Sequence, residues 1–469
     1  MDVNASSTRR AGRRAWRTTL VLDTVLLVFI VCWLGPLTLP GTAQAAGGQQ
    51  VWARLYDGSR HLDDVVVDVA LGPAGSVYAL TVADGGQWAG AEPRPVLERR
   101  SSAGRLLWRA SFHISPGQQQ LWSLAVDAAG NVYATGADEQ ADWSAVLTVK
   151  FDKDGHLTWM REYPTSPAAF SAGREVAVDT AGNCYVLAAG PPSAGANEDM
   201  VVLKYSLTGV RRWTRSCGLP GIDASAVALV VDGAGNAYAG GVSTIAGNKR
   251  DWLVVKLDTT GAVRWTRTVT TAGDAADQLD GLATAPSGAD LYASGTVEVG
   301  GVRKACVVKF SSSGVRRWSR TYWGPRPNCD WGSLVTVDPF GDVVFTATTN
   351  DPALSWGWAV MKVSAVGKRL WLRAFDQPAA EEHVQRLATD STGTVYAVGT
   401  AGPPGHGQAV AAKYSATGAR RWLVRYQSQA SSGSDARCVT VRSEDGVYLG
   451  GYSADQTAHL DALLLKLKP

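Results

Sequence analysis

After residue 45, short runs of alternating apolar and polar residues recur between clusters of Gly, Asp, Asn and Ser. Such alternation marks strands with one face buried, and the clusters between them mark tight turns. The stretch 177–216 shows one whole unit. Ala177-Val178-Asp179 runs into Gly182-Asn183-Cys184-Tyr185-Val186, and further runs follow at 200–205 and 210–216. Each unit therefore predicts four short strands. Tryptophan sets the period: Trp52, Trp108, Trp159, Trp213, Trp265, Trp318, Trp371 and Trp422 lie 51 to 56 residues apart. A fixed period near 50 points to a solenoid, an array or a propeller, and units made of strands alone select the propeller.

Two turns repeat with the strands. The first reads D-x-x-G-N at 127–131, 179–183 and 232–236. In the second, an Asp or Ser stands seven residues before the Trp and a Gly four before it: Ser101/Gly104, Asp152/Gly155, Ser206/Gly209, Asp258/Gly261, Ser311/Gly314, Ser364/Gly367 and Ser415/Gly418. Asp bonds backbone groups within a turn and Gly supplies positive φ, so both turns read as structural devices. The first strand recurs eight times, near Val67, Ala125, Ala177, Val230, Ala283, Val335, Ala388 and Val439. The Trp-bearing last strand also recurs eight times, but its first copy, 51–56, precedes any first strand, and the final unit ends at Lys466-Leu467 without one. Pairing 51–56 with the strand around 463–467 completes the eighth sheet from both ends of the chain. The expected fold is all-β, one eight-bladed propeller of four-stranded antiparallel blades over 46–469, closed so that only short outer edges remain.

Residues 1–45 break the pattern. Arg9, Arg10, Arg13, Arg14 and Arg17 precede an apolar run at 25–34; Pro36, Pro40 and Gly41 interrupt it, and Ala43-Gln44-Ala45 follows. A charged segment, a short apolar segment and an A-x-A site are the parts of a secretory signal, and the run falls short of the roughly 20 residues a membrane span needs. We expect cleavage after Ala45 and a protein secreted or held at the cell envelope. Neither arginine pair is followed by the hydrophobic step usual in a twin-arginine signal. Cys184, Cys217, Cys306, Cys329 and Cys438 are then an odd number at irregular spacing, which reads as buried or single thiols rather than a disulfide framework.

Charge changes the picture. The chain has 45 Lys plus Arg against 42 Asp plus Glu, a formal +3, yet the whole excess lies before residue 46 and the remainder holds 40 of each sign. A neutral chain lacks the broad basic surface that nucleic acid requires. Its 45% apolar content and 18 tryptophans exclude disorder as the main state. In a propeller the D-to-A and B-to-C connections share one face and the tight turns share the other. Acidic residues outnumber basic ones by about 15 in those variable loops, which predicts an acidic, functional loop face over a basic frame.

The runs DWLVVKLDTTGAVRW at 251–265 and AVDAAGNVYATG at 125–136 resemble the SBBP family of bacterial β-propeller repeats, and the resemblance spans everything after the signal. It implies a bacterial propeller, secreted or on the cell surface, and brings no defined activity or catalytic residues. More distantly the units resemble PQQ-type repeats, whose blades also end in a docking Trp. There the turn's Asp stands four before the Gly rather than three, and the vicinal cysteine pair of several quinoproteins is missing here. No cofactor is expected; PQQ and Ca²⁺ stay open as the alternative.

Tryptophans outside the repeat carry the candidate chemistry. Trp88, Trp122, Trp143, Trp252, Trp323, Trp331, Trp356 and Trp358 fall in or beside the loops, where exposed aromatics near carboxylates suit stacking on sugars or capture of peptide side chains. Trp323, Trp331, Trp356 and Trp358, between blades 5 and 6, with Trp143 and Trp252, are the expected binding residues. The competing reading is that loops bury their own tryptophans. Asp274, Asp277 and Asp280 are candidate cation ligands without the spacing of a Ca²⁺ loop. His61, His113, His383, His406 and His459 fall on the loop face of adjoining blades, again without ligand spacing. The strand-C lysines (Lys150, Lys204, Lys256, Lys309, Lys362, Lys413 and Lys466) and the arginines opening strand D read as charges that guard strand edges. W-x-R pairs such as Trp159/Arg161 and Trp265/Arg267 read as interblade packing with cation–π contact. No G-x-S-x-G, HExxH, P-loop or Rossmann pattern occurs. The expected function is a monomeric, non-catalytic binding or scaffold module for a protein or cell-surface glycan; the alternative is a quinoprotein-like oxidoreductase or a propeller hydrolase.

Overall fold

Each repeat folds as a four-stranded antiparallel sheet with its strands A to D in chain order, because turns this short leave consecutive strands no other neighbour. The computed structural model describes residues 47–469 apart from 85–92, 113–117, 166–169, 192–196, 246–248, 272–276, 323–329, 332–333, 352–354, 376–380, 404–405, 427–432 and 455–458. The signal read at 1–45 lies outside the described residues. Strand A runs over Val65–Leu71, Gln118–Val126, Ala172–Val178, Asp223–Val231, Gln278–Thr284, Val335–Val337, Glu381–Thr389 and Gly433–Arg442 in blades 1 to 8, with a further piece, Asp330–Trp331, in blade 6. Every strand A touches the strand A of both neighbouring blades, so the eight close into a ring around a central channel. Strands B and C are buried along their length, as in Cys184–Gly190 and Asp199–Tyr205, whereas strand D alternates between buried and exposed positions.

The ring closes as the sequence predicts. Gln50–Tyr56 pairs antiparallel with Leu460–Leu467, Ala53 standing opposite Leu465, and supplies strand D of blade 8.

The repeated turns lock each blade to the next. In the A-to-B turn the Asp127 carboxylate accepts the N–H groups of Ala129 and Asn131 at 3.0 and 2.9 Å, and Gly130 adopts φ +87°. The Tyr133 hydroxyl, at the start of strand B, then donates to the Gly182 carbonyl of the next blade at 3.2 Å. In the C-to-D turn, Gly261 adopts φ +82° directly beneath the Trp213 ring of the preceding blade. There the indole Nε1 and the strand-C lysine converge on one carbonyl: Trp213 and Lys204 donate to Thr259 at 3.1 and 3.2 Å, Trp265 and Lys256 to Ser312, both at 3.0 Å. The W-x-R arginine adds a further bond, as from Arg215 Nε to the Gly261 carbonyl at 2.6 Å. Arg54, Arg161, Arg267 and Arg320 also lie 5.7 to 5.9 Å from their tryptophan rings, as read from the sequence.

Three sequence readings are corrected. Lys150, Lys204, Lys256, Lys309, Lys362 and Lys466 do not guard edges; they are buried, each over or beside the next blade's turn, because strand C is the third strand and not the outer one. Several supposed loop residues are strand. The B–C hairpins extend beyond the repeat core, so Trp252 lies in Lys249–Leu257, and Trp356 and Trp358 lie in Ser355–Val363. The C-to-D glycines, read as local turn devices, are also interblade contacts. Gly104 and Gly367 are both buried in this way. A Cβ on Gly104 would fall 2.9 Å from the Trp52 ring, between blades 8 and 1. One on Gly367 would meet the Arg320 guanidinium at 2.9 Å before the Trp318 ring at 3.1 Å, so at that seam the arginine limits the approach more than the indole does.

The eighth C-to-D turn is assembled from two parts of the chain. Lys468 donates to the Gln49 carbonyl at 2.8 Å and Gly48 donates to the Lys468 carbonyl at 3.0 Å, reproducing the Ser415–Ala419 and Gly418–Ser415 bonds of blade 7. Gly48, at φ +80°, lies under Trp422. However, among the described residues Trp422 Nε1 finds no acceptor, Lys413 makes no hydrogen bond and has the Tyr396 ring at 5.5 Å and the charge of Asp390, and Val424 stands where six other seams place arginine.

Two outcomes check this. Gly261→Ala, whose Cβ falls 2.6 Å from the Trp213 ring, is expected to lower unfolding free energy by about 3 kcal/mol. Gly233→Ala, with nothing within 4 Å, should change it by less than about 0.5 kcal/mol in the same urea titration. Trp371→Phe removes a bond to Ala416 of 2.9 Å and should cost about 1 kcal/mol more than Trp422→Phe, which removes an unpartnered N–H. Equal losses would contradict the composite turn.

Candidate functional site

Strand A carries an extra residue in seven blades, where its pairing with strand B slips between Val66 and Asp68, Leu121 and Ser123, Gly173 and Glu175, Ala226 and Ala228, Leu279 and Gly281, Val384 and Arg386, and Ala436 and Cys438. A bulge re-aims side chains out of the packed face. The bulge residues are Val67, Trp122, Arg174, Val227, Asp280, Gln385 and Arg437; all seven are at least partly exposed, although Val67 and Val227 also pack against the interblade cores. Arg174 lies 5.8 Å from the Trp122 ring.

The position after the bulge bonds neighbouring blades together. Asp68 accepts the Leu124 N–H at 2.8 Å, Ser123 accepts that of Val176 at 3.3 Å, and Glu175 accepts that of Leu229. Arg386 of blade 7 acts electrostatically on Asp68 of blade 1 and on Glu175 of blade 3. Blades 3 and 7 stand opposite in a ring of eight, so the Glu175–Arg386 interaction crosses the channel. Asp68 and Glu175 are each only partly exposed. Burial raises Glu175 to about 7, opposed by the Leu229 N–H and Arg386 and reinforced by Asp68. It raises Asp68 to about 6 against the Leu124 N–H and Arg386. Toward the loop face, between blades 4 and 5, Ser225, Val227, Val242, Thr244, Arg250 and Gln278 line an open cleft of about 580 Å³.

The expected tryptophans separate. Trp252 is fully buried and donates to the Thr296 carbonyl of the next blade at 3.1 Å, and Trp358 is buried edge-on against Phe375 at 5.4 Å. Both belong to the interblade core and not to a binding surface, because the extended hairpins carry them inward. Trp331 and Trp356 lie on strands of blade 6, while Trp88 and Trp323 lie outside the described residues. Trp143 is half-buried beside exposed Asp142 in the B–C loop of blade 2. With Trp122 it moves the aromatic part of the candidate site from blades 5 and 6 to blade 2. Arg174, Glu175 and Arg386 were not singled out by sequence reasoning, since a one-residue slip in a strand leaves no spacing signature.

The acidic loop face is partly turned inward. Asp138 accepts from Gln119 at 2.6 Å, Asp199 from the Gly218 N–H at 2.6 Å, and Asp277 from Thr271 and the Glu298 N–H at 2.8 to 3.1 Å. Asp142 and Glu198 remain exposed. Of the candidate cation ligands, Asp277 is committed to these loop bonds, Asp280 accepts from Gln278 at 3.0 Å, and Asp274 lies outside the described residues. Among the described residues no group of His, Cys, Asp and Glu is placed to hold a metal ion. His61 pairs with Asp57 at 2.5 Å, and His113 lies outside the described residues. Cys184, Cys217, Cys306 and Cys438 are buried free thiols; burial pushes Cys217 and Cys306 up to about 12 and raises the other two as well, while Cys329 lies outside the described residues.

No protein-family model matches the chain, and no curated protein does. Among solved structures the chain is similar to Sqt1 of Chaetomium thermophilum, with a TM-score of 0.56 and 10% identity over 90% of this chain and 98% of that one. Sqt1 bound to the N-terminus of the ribosomal protein L10 gives a TM-score of 0.54 at 12% identity over 88% and 98% of the two chains. The polysaccharide lyase Uly1 gives 0.46 at 9% identity over 86% and 90%. At these identities the Sqt1 likeness establishes the propeller fold alone.

The channel carboxyls set a pH dependence. Unfolded, Glu175 titrates near about 4.3, and folded near 7, so the folded chain holds this proton more tightly. Its contribution to stability is greatest at acid pH, falls as pH climbs through that window, and is constant above it. Glu175→Gln, which can still accept from Leu229, is therefore expected to flatten the profile and to gain about 1 kcal/mol above pH 7, a figure discounted for water in the channel. Melting temperatures from pH 4 to 8 check the sign.

Proposed function

We propose that the chain is a binding module, secreted or held at the cell envelope, which engages a protein or glycan through its loop face rather than catalysing a reaction. One observation carries this: polar side chains that repeat around the underside are used in blade-to-blade bonds, whereas those that do not repeat gather at the channel and loops. A scaffold needs what repeats. Residues such as Trp122, Trp143, Asp142, Arg174 and Arg386 have no such counterpart in every blade. The buried thiols with raised pKa values offer no activated nucleophile, which also favours binding over chemistry.

A protein partner has further support. Sqt1, built on a similar propeller, is seen with the N-terminus of a ribosomal protein bound, so a propeller of this architecture accommodates a peptide segment. The repeat motif supports placement with the SBBP type of bacterial propeller, and the loop-face tryptophans suit a glycan as the second partner class.

The full chain, screened on peptide and glycan arrays, is expected to give reproducible hits that weaken about tenfold in Trp143→Ala, with melting temperature preserved. Blank arrays of both kinds, or hits that Trp143→Ala and Trp331→Ala leave unchanged, would reduce the molecule to a scaffold.

A further inference from the structure

The strand-A position after the bulge divides the channel into unlike halves. In blades 1 to 3 it holds Asp68, Ser123 and Glu175, each capping an N–H of the next blade's strand A. In blades 4, 5, 7 and 8 it holds Ala228, Gly281, Arg386 and Cys438, and the capping is lost. Leu387 and Val439 occupy the same register as the capped Leu229, opposite Ala397 and Leu449 where Leu229 stands opposite Ala239. Their N–H groups therefore point into the channel, and among the described residues no side chain accepts from them. Arg386 stands between these two groups, in the same half. Its guanidinium makes no hydrogen bond or ion pair among the described residues, although it acts electrostatically on Glu175 of the opposite blade and on Asp68 two blades away.

The opposite wall has the reverse character. Asp68, Trp122 and Glu175 come from strand A of three successive blades, so two carboxylates and an indole belong to the same side of the ring. Arg174 occupies the neighbourhood of one indole face at 5.8 Å and leaves the ring half-buried. Carboxylates flanking an aromatic ring suit an ammonium group, and a guanidinium fork beside free backbone N–H groups suits a carboxylate.

We propose that the channel binds a small zwitterionic ligand of the amino-acid class, its carboxylate on Arg386 with the Leu387 and Val439 N–H groups, and its ammonium at Asp68, Trp122 and Glu175. A ligand of one charge leaves the charge on the other wall unmatched, so the site discriminates against it. The site is separate from the loop face, and its occupant is small enough to need no loop contact.

Calorimetry on the full chain with glycine, 4-aminobutyrate and 6-aminohexanoate, beside butylamine and butyrate, tests this. At least one zwitterion is expected to bind about tenfold or more tightly than either singly charged probe, and the preferred chain length reports the span between the walls. Arg386→Gln should weaken that binding about tenfold, and Glu175→Gln about threefold, with cooperative melting retained. Should Arg386→Gln fail to fold, Arg386→Lys, which keeps the charge without the fork, should bind with intermediate affinity. Trp143→Ala should bind the zwitterion normally, so failure here is distinct from failure of the loop-face reading. Equal binding of butyrate or butylamine, unchanged binding by Arg386→Gln, or no heat from any probe at millimolar concentration overturns the proposal.

Discussion

The ring depends on the close approach of one blade's turn to the indole of the blade before it. A Cβ at Gly155, Gly209, Gly261 or Gly314 would fall 2.6 to 2.8 Å from that ring, so the turn can lie there only as glycine, and the positive φ of the turn demands glycine a second time. Once the turn is seated, the carbonyl two residues before the glycine meets both the indole N–H and the lysine of strand C. Two donors on one carbonyl fix the angle between blades as well as their spacing. Every blade thus has a donor side, carrying Trp and in most blades Lys and Arg, and an acceptor side, carrying the turn. Contacts of this head-to-tail kind continue until the last donor side meets the first acceptor side. Here that meeting occurs at blades 7 and 8, with Gly48 under Trp422.

That final seam shows what the covalent turn contributes elsewhere. With the turn made from Lys468 and Gly48, the backbone ladder survives but the shared carbonyl does not, and Trp422 and Lys413 lose their acceptor together. Val424 fits this loss: an arginine there would bring a further buried charge to a seam already short of acceptors, whereas valine packs against Gly48. A small apolar space lined by Ala409, Ala411, Val424, Ala436 and Gly450 adjoins the same seam.

Much of the frame was legible because its constraints repeat. Tryptophan spacing, the Gly four residues earlier and the unmatched strand at 51–56 each state a contact required at every seam, and closure follows from counting them. Side-chain direction was not legible. Lys204 and Lys256 read as surface charge because a strand's period gives its two faces but not which neighbour each face meets. Gly104 and Gly367 read as turn formers for the same reason, since spacing shows the turn but not the ring or guanidinium pressed against it. Trp252 and Trp358 read as loop residues because the hairpins continue past the point where the repeat motif ends. The acidic loop charge overstated its own exposure, since Asp138, Asp199 and Asp277 serve as internal acceptors for loop groups.

The channel was hidden for the opposite reason. A bulge adds one residue to a strand and leaves the surrounding alternation intact on both sides, so Arg174, Glu175 and Arg386 look like lapses in a pattern instead of parts of one. Their energetics argue against lapse. A serine suffices to cap the neighbouring N–H, as Ser123 shows, and alanine or glycine fills the same position in blades 4 and 5. Holding Asp68 and Glu175 there instead costs desolvation that their raised pKa values record, and the charge of Arg386 recovers only part of it. A frame under selection for stability alone has no reason to keep that arrangement. Local destabilisation retained where the repeat would permit a cheaper residue is the physical mark of a site, and in this propeller it lies on the axis, where eight rigid blades hold it open.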